Sequence, residues 1–284
     1  MSIHRRVSAA RERLREAGIS HTESDLDARL LAQHVLGWTT ERFLTDAQLG
    51  EPDGFVPRYE SLVARRATRE PLAYIVGTRE FWALDFEVSP AVLIPRPSTE
   101  LIVEAILELF PDRNAPLRIA DVCTGCGCVA VALAHERPAA SIVATDISIE
   151  ALVVAERNAV RHGVADRVRV LRTDLLDGVD EICDAIVANP PYVLDDARPA
   201  LQPEVRDHEP AVALFGGADG LGLLTRLVES APRRLRNGGY LVFEFGLGQD
   251  VEIEDLLQAS ADLELTDVRR DLDGIARTAV ARRR

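Results

Sequence analysis

The chain contains no lysine. All of its 33 basic residues are arginine, and against 46 acidic residues they leave a formal net charge of -13. A chain without a basic surplus cannot neutralise a phosphate backbone, so naked DNA or RNA is disfavoured as a substrate. The local clusters Arg65, Arg66 and Arg69, then Arg233, Arg234 and Arg236, then Arg282 to Arg284 read as solvated helix faces and a tail. Long apolar runs are also missing: none reaches the roughly 18 residues a membrane span needs, so no membrane association is expected. Residues 1–18 lack the apolar core of a secretory signal, and Glu12 and Glu16 fit an ordinary first helix, so a cytoplasmic protein is expected. Cysteine is scarce. Four in a chain of 284 residues make no disulfide framework. Three of them share the segment DVCTGCGC, but no nearby histidine or second cysteine pair completes a tetrahedral site, and no metal is expected. Internal repeats and low-complexity linkers are absent.

With 47% hydrophobic residues and a mean hydropathy of -0.01, the chain can bury a sizeable core, and its length suits two domains. Residues 1–70 read as a small helical domain without an ionisable cluster, suited to recognition rather than chemistry. Val7, Ala10, Leu14 and Ala17 space one apolar stripe up to Gly18. Ser24 and Asp27 suggest a helix start, after which Leu26, Leu30, Leu31 and Val35 face inward until Gly37. A short helix follows over 40–44, and Pro57 opens another carrying Tyr59, Leu62, Val63 and Arg66. Residues 71–97 change to an extended pattern, LAYIVG then EFWALDFEVS, which predicts a β-hairpin bridging the domains. Ser98 is placed to cap a helix with Leu101, Ile102, Ala105, Ile106 and Leu109.

Beyond Pro116 strands alternate with helices, the pattern of a doubly wound, mainly parallel α/β sheet. The expected strands are 117–123, 141–147, 168–173, 182–188 and 240–246. The last two, 263–271 and 275–281, are joined only by Leu272, Asp273 and Gly274, too short for a crossover helix, so that pair must be antiparallel.

Four loops at the carboxyl ends of successive strands carry the chemistry. After the first strand, Cys123, Thr124, Gly125, Cys126 and Gly127 form a glycine-rich turn ahead of a helix, where a ligand can approach the backbone; the spacing is not the dinucleotide fingerprint. Asp146 ends the second strand, where a carboxylate can accept from both hydroxyls of a ribose or cap the helix at Ser148. Asp174 and Leu175 follow the third, placed to meet an adenine edge and face, or to cap a turn. After the fourth come Asn189, Pro190, Pro191 and Tyr192. The prolines end the strand. Either the segment is only a turn that Asn189 caps, or the Asn189 side-chain oxygen and the Pro190 carbonyl are two acceptors suited to the hydrogens of a planar amide or aromatic –NH2, with Tyr192 covering its face. No strong general base is required. His208, in the stretch RDHEP read as a loop, is the only nearby candidate; Asp219 is placed to cap a helix starting at Gly220; Glu244 and Phe245 are placed to shape the pocket.

The order D-x-x-T-G-x-G, an acidic second strand, NPPY after the fourth and an antiparallel final pair resembles the class I (Rossmann-like) methyltransferases. More narrowly, LIPRPSTELI (93–102), NPPYV (189–193), HEPAVALFGGADGL (208–221) and DLDGIARTAVAR (271–282) resemble the protein-(glutamine-N5) methyltransferases of the HemK/PrmC type over essentially the whole chain. The resemblance implies S-adenosylmethionine as cofactor, with S-adenosylhomocysteine as product, and methylation of the glutamine in the Gly-Gly-Gln motif of peptide chain release factors. It implies donor binding at Cys123 to Gly127, Asp146, Asp174, Leu175 and Asn189, and an amide clamp from Asn189 to Tyr192. It further implies a substrate-recognition domain over 1–70, a hairpin linker over 71–97 and a methyltransferase domain over 98–284; a monomer is expected. Cys123 and Cys126 depart from the family's usual Gly and Thr or Ser, and the Cys-Thr-Gly loop resembles sister enzymes that methylate a large-subunit ribosomal protein. A nucleic-acid adenine methyltransferase and a non-catalytic methyltransferase-like binding protein are the remaining alternatives.

Overall fold

The computed structural model describes residues 1–284. In chain order it runs α1 (Ile3–Glu16), α2 (His21–Leu36), α3 (Thr40–Asp46), α4 (Phe55–Ala67), α5 (Leu72–Val76), β1 (Thr78–Phe81), β2 (Leu84–Glu87) and α6 (Glu100–Leu109). An alternating stretch follows: β3 (Arg118–Val122), α7 (Cys128–Glu136), β4 (Ser141–Asp146), α8 (Ile149–Arg161), β5 (Val168–Arg172) and β6 (Cys183–Ala188). The chain ends with α9 (Pro203–His208), α10 (Gly222–Ser230), β7 (Leu235–Glu244), α11 (Asp250–Ala259), β8 (Leu263–Arg270) and β9 (Ala276–Arg283). It divides into two compact units, Met1–Thr78 with Gln202–His208, and Arg79–Leu201 with Glu209–Arg284. No helix is long and apolar enough to cross a membrane.

In the first unit, Ile3, Val7, Ala10 and Leu14 form the buried stripe of α1. Helix α2 begins before the expected Ser24. Ser20 is its cap: its hydroxyl accepts from the Glu23 N–H at 3.3 Å and donates to Glu23 Oε2 at 2.7 Å. Ser24 is buried inside the first turn, its hydroxyl satisfied by the Ser20 carbonyl. Leu26, expected inside, is exposed, and its neighbour Asp27 is buried instead, ion-paired to Arg66 of α4 at 2.7 Å. Arg66 also reaches Glu204 at 2.9 Å, and Arg69 reaches the same carboxylate at 2.6 Å. These pairs make the segment carrying α9 part of the helical unit.

The stretch LAYIVG, expected to be extended, is helix α5. Pro71 precedes it with φ -57°, and Gly77 closes it with φ 79°. Ala73, Tyr74 and Ile75 are buried in succession. A short apolar run of this kind satisfies a strand or a buried helix equally, and packing decided for the helix. The expected hairpin is confined to β1 and β2, joined through Trp82 and Ala83 at positive φ.

The second unit is a seven-stranded sheet of order β5-β4-β3-β6-β7-β9-β8. The pairs β5–β4, β4–β3, β3–β6 and β6–β7 are parallel, and β7–β9 and β9–β8 antiparallel. This is the expected architecture. Strand β6 is buried along Ala185–Ala188, as its apolar run required. Strand β7 starts at Leu235, five residues before the expected Tyr240. Its register against β6 shifts between Cys183 and Ala185, and a Cβ on Gly239 would meet the Asp184 carbonyl at 3.0 Å, so the RNGG stretch, which lacks strand formers, is a bulged strand entry.

Helix α6 begins after a 3-10 turn at Pro97–Thr99, and no side chain caps it. Ser98 is therefore not a cap. Its hydroxyl and that of Thr99 point instead to Glu244 at the end of β7. Strands β3 and β6 are neighbours although far apart in the chain, so the connections leaving them run to opposite sides, and a crevice opens at their carboxyl ends.

Candidate active site

The crevice holds a cavity of about 190 Å³. Its wall includes the loop after β3 (Cys123, Thr124, Gly125, Cys126), Asp146 at the end of β4, Asp174 and Leu175 after β5, and Asn189 and Pro191 after β6. All four expected loops thus meet at one place.

The first loop is folded around Asp121. This buried carboxylate accepts the Thr124 hydroxyl at 2.6 Å and the Ala130 N–H at 3.1 Å with the same oxygen, Oδ2. Burial pushes its carboxyl up to about 7, against those two hydrogen bonds. Cys123, at φ 58°, and Gly125, at φ 55°, turn the chain toward the cavity. Gly127 does not line it. At φ 80°, a Cβ there would lie 3.1 Å from Ala155 Cβ of α8, so this glycine serves helix packing. Burial, with the Asp146 and Asp121 charges, pushes the Cys123 thiol up; the hydrogen bond with Cys126, then burial, does the same for Cys128. Protonated thiols of this kind are poor nucleophiles.

Asp146 bridges two loops. Its Oδ2 accepts from the Gly125 N–H at 3.0 Å and its Oδ1 from the Ser148 N–H at 2.9 Å, while the Ser148 side chain caps α8. Each carboxylate oxygen keeps a further acceptor position. Burial raises the Asp146 carboxyl, and the backbone N–H groups oppose the rise. Asp174 is ion-paired to Arg226 of α10 at 2.7 Å.

After β6, the Asn189 Nδ2 donates to Thr99 Oγ1 at 3.0 Å, and Asn189 Oδ1 takes no hydrogen bond from the chain. Pro190 is buried and lies outside the cavity wall, as does Tyr192. The Tyr192 hydroxyl donates to Glu244 Oε1 at 2.9 Å. Burial and the Glu244 charge push the Tyr192 phenol well up. Gly216 and Gly220, in the loop after α9, pack on the Pro191 and Tyr192 carbonyls, where a Cβ would come within 2.5 and 2.3 Å. That close approach fixes the direction of the turn. His208 ends α9 and is not in the cavity wall, and RDHEP is helix up to that residue rather than loop. Asp219 accepts the Leu221 N–H in the turn ahead of α10, which starts at Gly222 rather than Gly220.

The N-terminal region matches the family model of the PrmC N-terminal domain over residues 7–77, and residues 97–202 match the methyltransferase small domain. A release factor glutamine methyltransferase of Bradyrhizobium diazoefficiens is 42% identical over 98% of this chain and 93% of its own length. Another of that name, from Moorella thermoacetica, is 40% identical over 100% of this chain and 99% of its own. The chain belongs to the release factor glutamine methyltransferase family. Among solved structures, a ribosomal protein L11 methylase from Lactobacillus delbrueckii subsp. bulgaricus superposes with a TM-score of 0.50 at 25% identity, covering 69% of this chain and 84% of that one. The hMettl16 catalytic domain does so with a TM-score of 0.57 at 18% identity, over 78% and 81%, and shares the fold.

In this glutamine methyltransferase the cavity wall also has residues that strand-end reasoning passed over. Val92, Leu93, Pro95 and Thr99 come from the segment ahead of α6, and Val212, Leu223 and Arg226 from the region around α10. The segments LIPRPSTELI and HEPAVALFGGADGL, conspicuous as motifs, were the available signal. Glu209, inside the second, is buried and accepts the Ile94 N–H at 3.1 Å and an Arg96 N–H at 2.5 Å from the first, so the two motifs hold each other.

Proposed function

We propose that this protein methylates the side-chain amide nitrogen of the glutamine in the Gly-Gly-Gln motif of peptide chain release factors, with S-adenosylmethionine as donor, in the cytoplasm. The observation that carries the reading is the Asn189 carboxamide, held by its nitrogen on Thr99 with its oxygen free beside the cavity. The names of its full-length relatives support the substrate.

The residues present fit the donor. Asp146 puts a carboxylate with no cationic partner in the wall, and the one arginine there is taken up by Asp174, which suits a sulfonium cation and a ribose diol rather than a phosphate-bearing cofactor. Asp146 offers the ribose hydroxyls one acceptor position on each oxygen. Val92, Val129, Leu175 and Leu223 supply apolar surface for a base. When bound, S-adenosylmethionine supplies a methyl group activated by positively charged sulfur.

An amide nitrogen is a weak nucleophile because its lone pair is delocalised, so alignment must do most of what the protein contributes. Asn189 Oδ1 accepts one amide hydrogen and favours the positive charge that develops on the N–H groups. Methyl transfer would form the N–C bond as the methyl–sulfur bond breaks, the bond pair staying on sulfur as a neutral thioether; the nitrogen then loses one proton, its acidity raised enough that water suffices as acceptor, and no histidine is needed.

Intact-mass analysis of purified release factor and of a large-subunit ribosomal protein, each incubated with the enzyme and S-adenosylmethionine, tests this. A single methyl mapped to the Gly-Gly-Gln glutamine is the expected result. A methyl on the ribosomal protein alone would move the substrate, and donor binding with methyl on neither would overturn the reading.

A further inference from the structure

We propose that Glu244 is a positioning residue for the transfer: through Thr99 it fixes which end of the Asn189 carboxamide faces the substrate, and through Tyr192 it fixes the phenol beside it. This rests on the clamp described above.

Glu244 ends β7 with no solvent exposure. Three hydroxyls converge on it: Thr99 on Oε2 at 2.7 Å, and Tyr192 and Ser98 on Oε1 at 2.9 and 3.2 Å. A carboxylate only accepts, so all three must donate to it. Thr99 has one hydroxyl hydrogen, and Glu244 takes it. The Thr99 oxygen can then meet Asn189 only as an acceptor, so the end of the carboxamide 3.0 Å away must be the –NH2. The oxygen is thereby left for the substrate.

Without the carboxylate that choice is lost. A free Thr99 hydroxyl could rotate and donate to Asn189, and an inverted carboxamide would set its own N–H groups against those of the substrate amide. Glutamine at position 244 makes the point, because it keeps the shape and changes the polarity. With its oxygen still accepting from Tyr192 and Ser98, its –NH2 donates to Thr99, which reverses a single contact. The opposite placement reverses two. In the first placement the Thr99 hydrogen is no longer taken up, so Thr99 would donate to Asn189 and turn it over. A buried ionised group is costly to maintain, and a packing role alone would be met by an apolar side chain.

The test compares Glu244→Gln, Thr99→Val, Thr99→Ser and the Glu244→Gln/Thr99→Val double variant for kcat, KM, donor affinity by calorimetry and thermal midpoint. Glu244→Gln and Thr99→Val are each expected to lower kcat roughly 10- to 100-fold, with donor affinity and melting near wild type. Thr99→Ser restores the hydroxyl and most of the rate. The double variant should be no worse than the poorer single, because both act through one chain of hydrogen bonds. A folded Glu244→Gln enzyme with wild-type kcat overturns the proposal. So does a loss of kcat that merely follows losses of donor affinity and melting temperature. If Glu244→Gln does not fold, wild-type turnover by Thr99→Val overturns it. Wild-type enzyme that leaves release factors unmethylated would instead count against the substrate reading. The orientation is then read from the Asn189 side-chain –NH2 signals of 15N-labelled protein: slowed hydrogen exchange that is lost in Glu244→Gln supports the proposal, and unchanged exchange overturns it.

Discussion

Asp121 and Thr124, three residues apart, are joined by a 2.6 Å hydrogen bond that closes the glycine loop over a buried carboxyl. The carboxyl is raised from 3.8 to about 7, so the folded protein holds its proton more tightly than the unfolded chain does. The sign follows. This group's favourable contribution is complete below about pH 4 and is lost as pH rises toward 7, by at most about 4 kcal/mol. Asp121→Asn keeps both hydrogen bonds on one oxygen and does not titrate. Denaturant unfolding at pH 5 and pH 8 should show a smaller fall in stability for the variant, and parallel pH dependences would refute the assignment.

Gly127→Ala should destabilise the protein by about 1–2 kcal/mol from left-handed backbone strain, with a further loss from collision with Ala155. Gly125→Ala meets the strain without the collision, since nothing lies within 4 Å of its added Cβ. Thermal melting should therefore rank Gly127→Ala below Gly125→Ala. Equal losses would remove the packing role of Gly127.

Asn189→Ala and Asp146→Ala should divide the reaction between them. The first removes an acceptor for the substrate amide and is expected to lower kcat roughly 10²- to 10³-fold with donor affinity kept. The second removes the carboxylate bonded to Gly125 and Ser148 and should weaken donor binding at least tenfold by calorimetry. Undiminished turnover in Asn189→Ala, or undiminished donor affinity in Asp146→Ala, would remove that residue from its role.

In the helical unit, Arg66→Ala leaves Asp27 buried without its partner and frees Glu204 from one of its two arginines. The expected cost is about 3–5 kcal/mol. Hydrogen exchange should rise in α2, α4 and α9 together. A loss below 1 kcal/mol would mean that water replaces the guanidinium without penalty.

Most of the sheet was legible because its signals are local. Each parallel strand is a short apolar run closed by a turn, and Leu272 to Gly274 are too few to permit a parallel return. Gly125, Asp146, Asp174 and Asn189 stood out because they end those strands. The misses arose where two local readings were equally good. LAYIVG suits a strand as well as a buried helix, Ser24 resembles a cap as well as Ser20 does, and Ser98 has the chemistry of a cap in front of an apolar helix.

The sequence alone determined the alternation of strands and helices from β3 to β6, the antiparallel close and the residues at the strand ends, since periodicity and turn chemistry act over a few neighbours. Only the tertiary structure decided that Ser98 and Thr99 serve a carboxylate about 145 residues away, that Asp27 turns inward to Arg66, and that α9 belongs to the helical unit. The physical reason is common to all three: a buried polar group must find a partner, and its partner is set by which distant segments the fold brings within 3 Å.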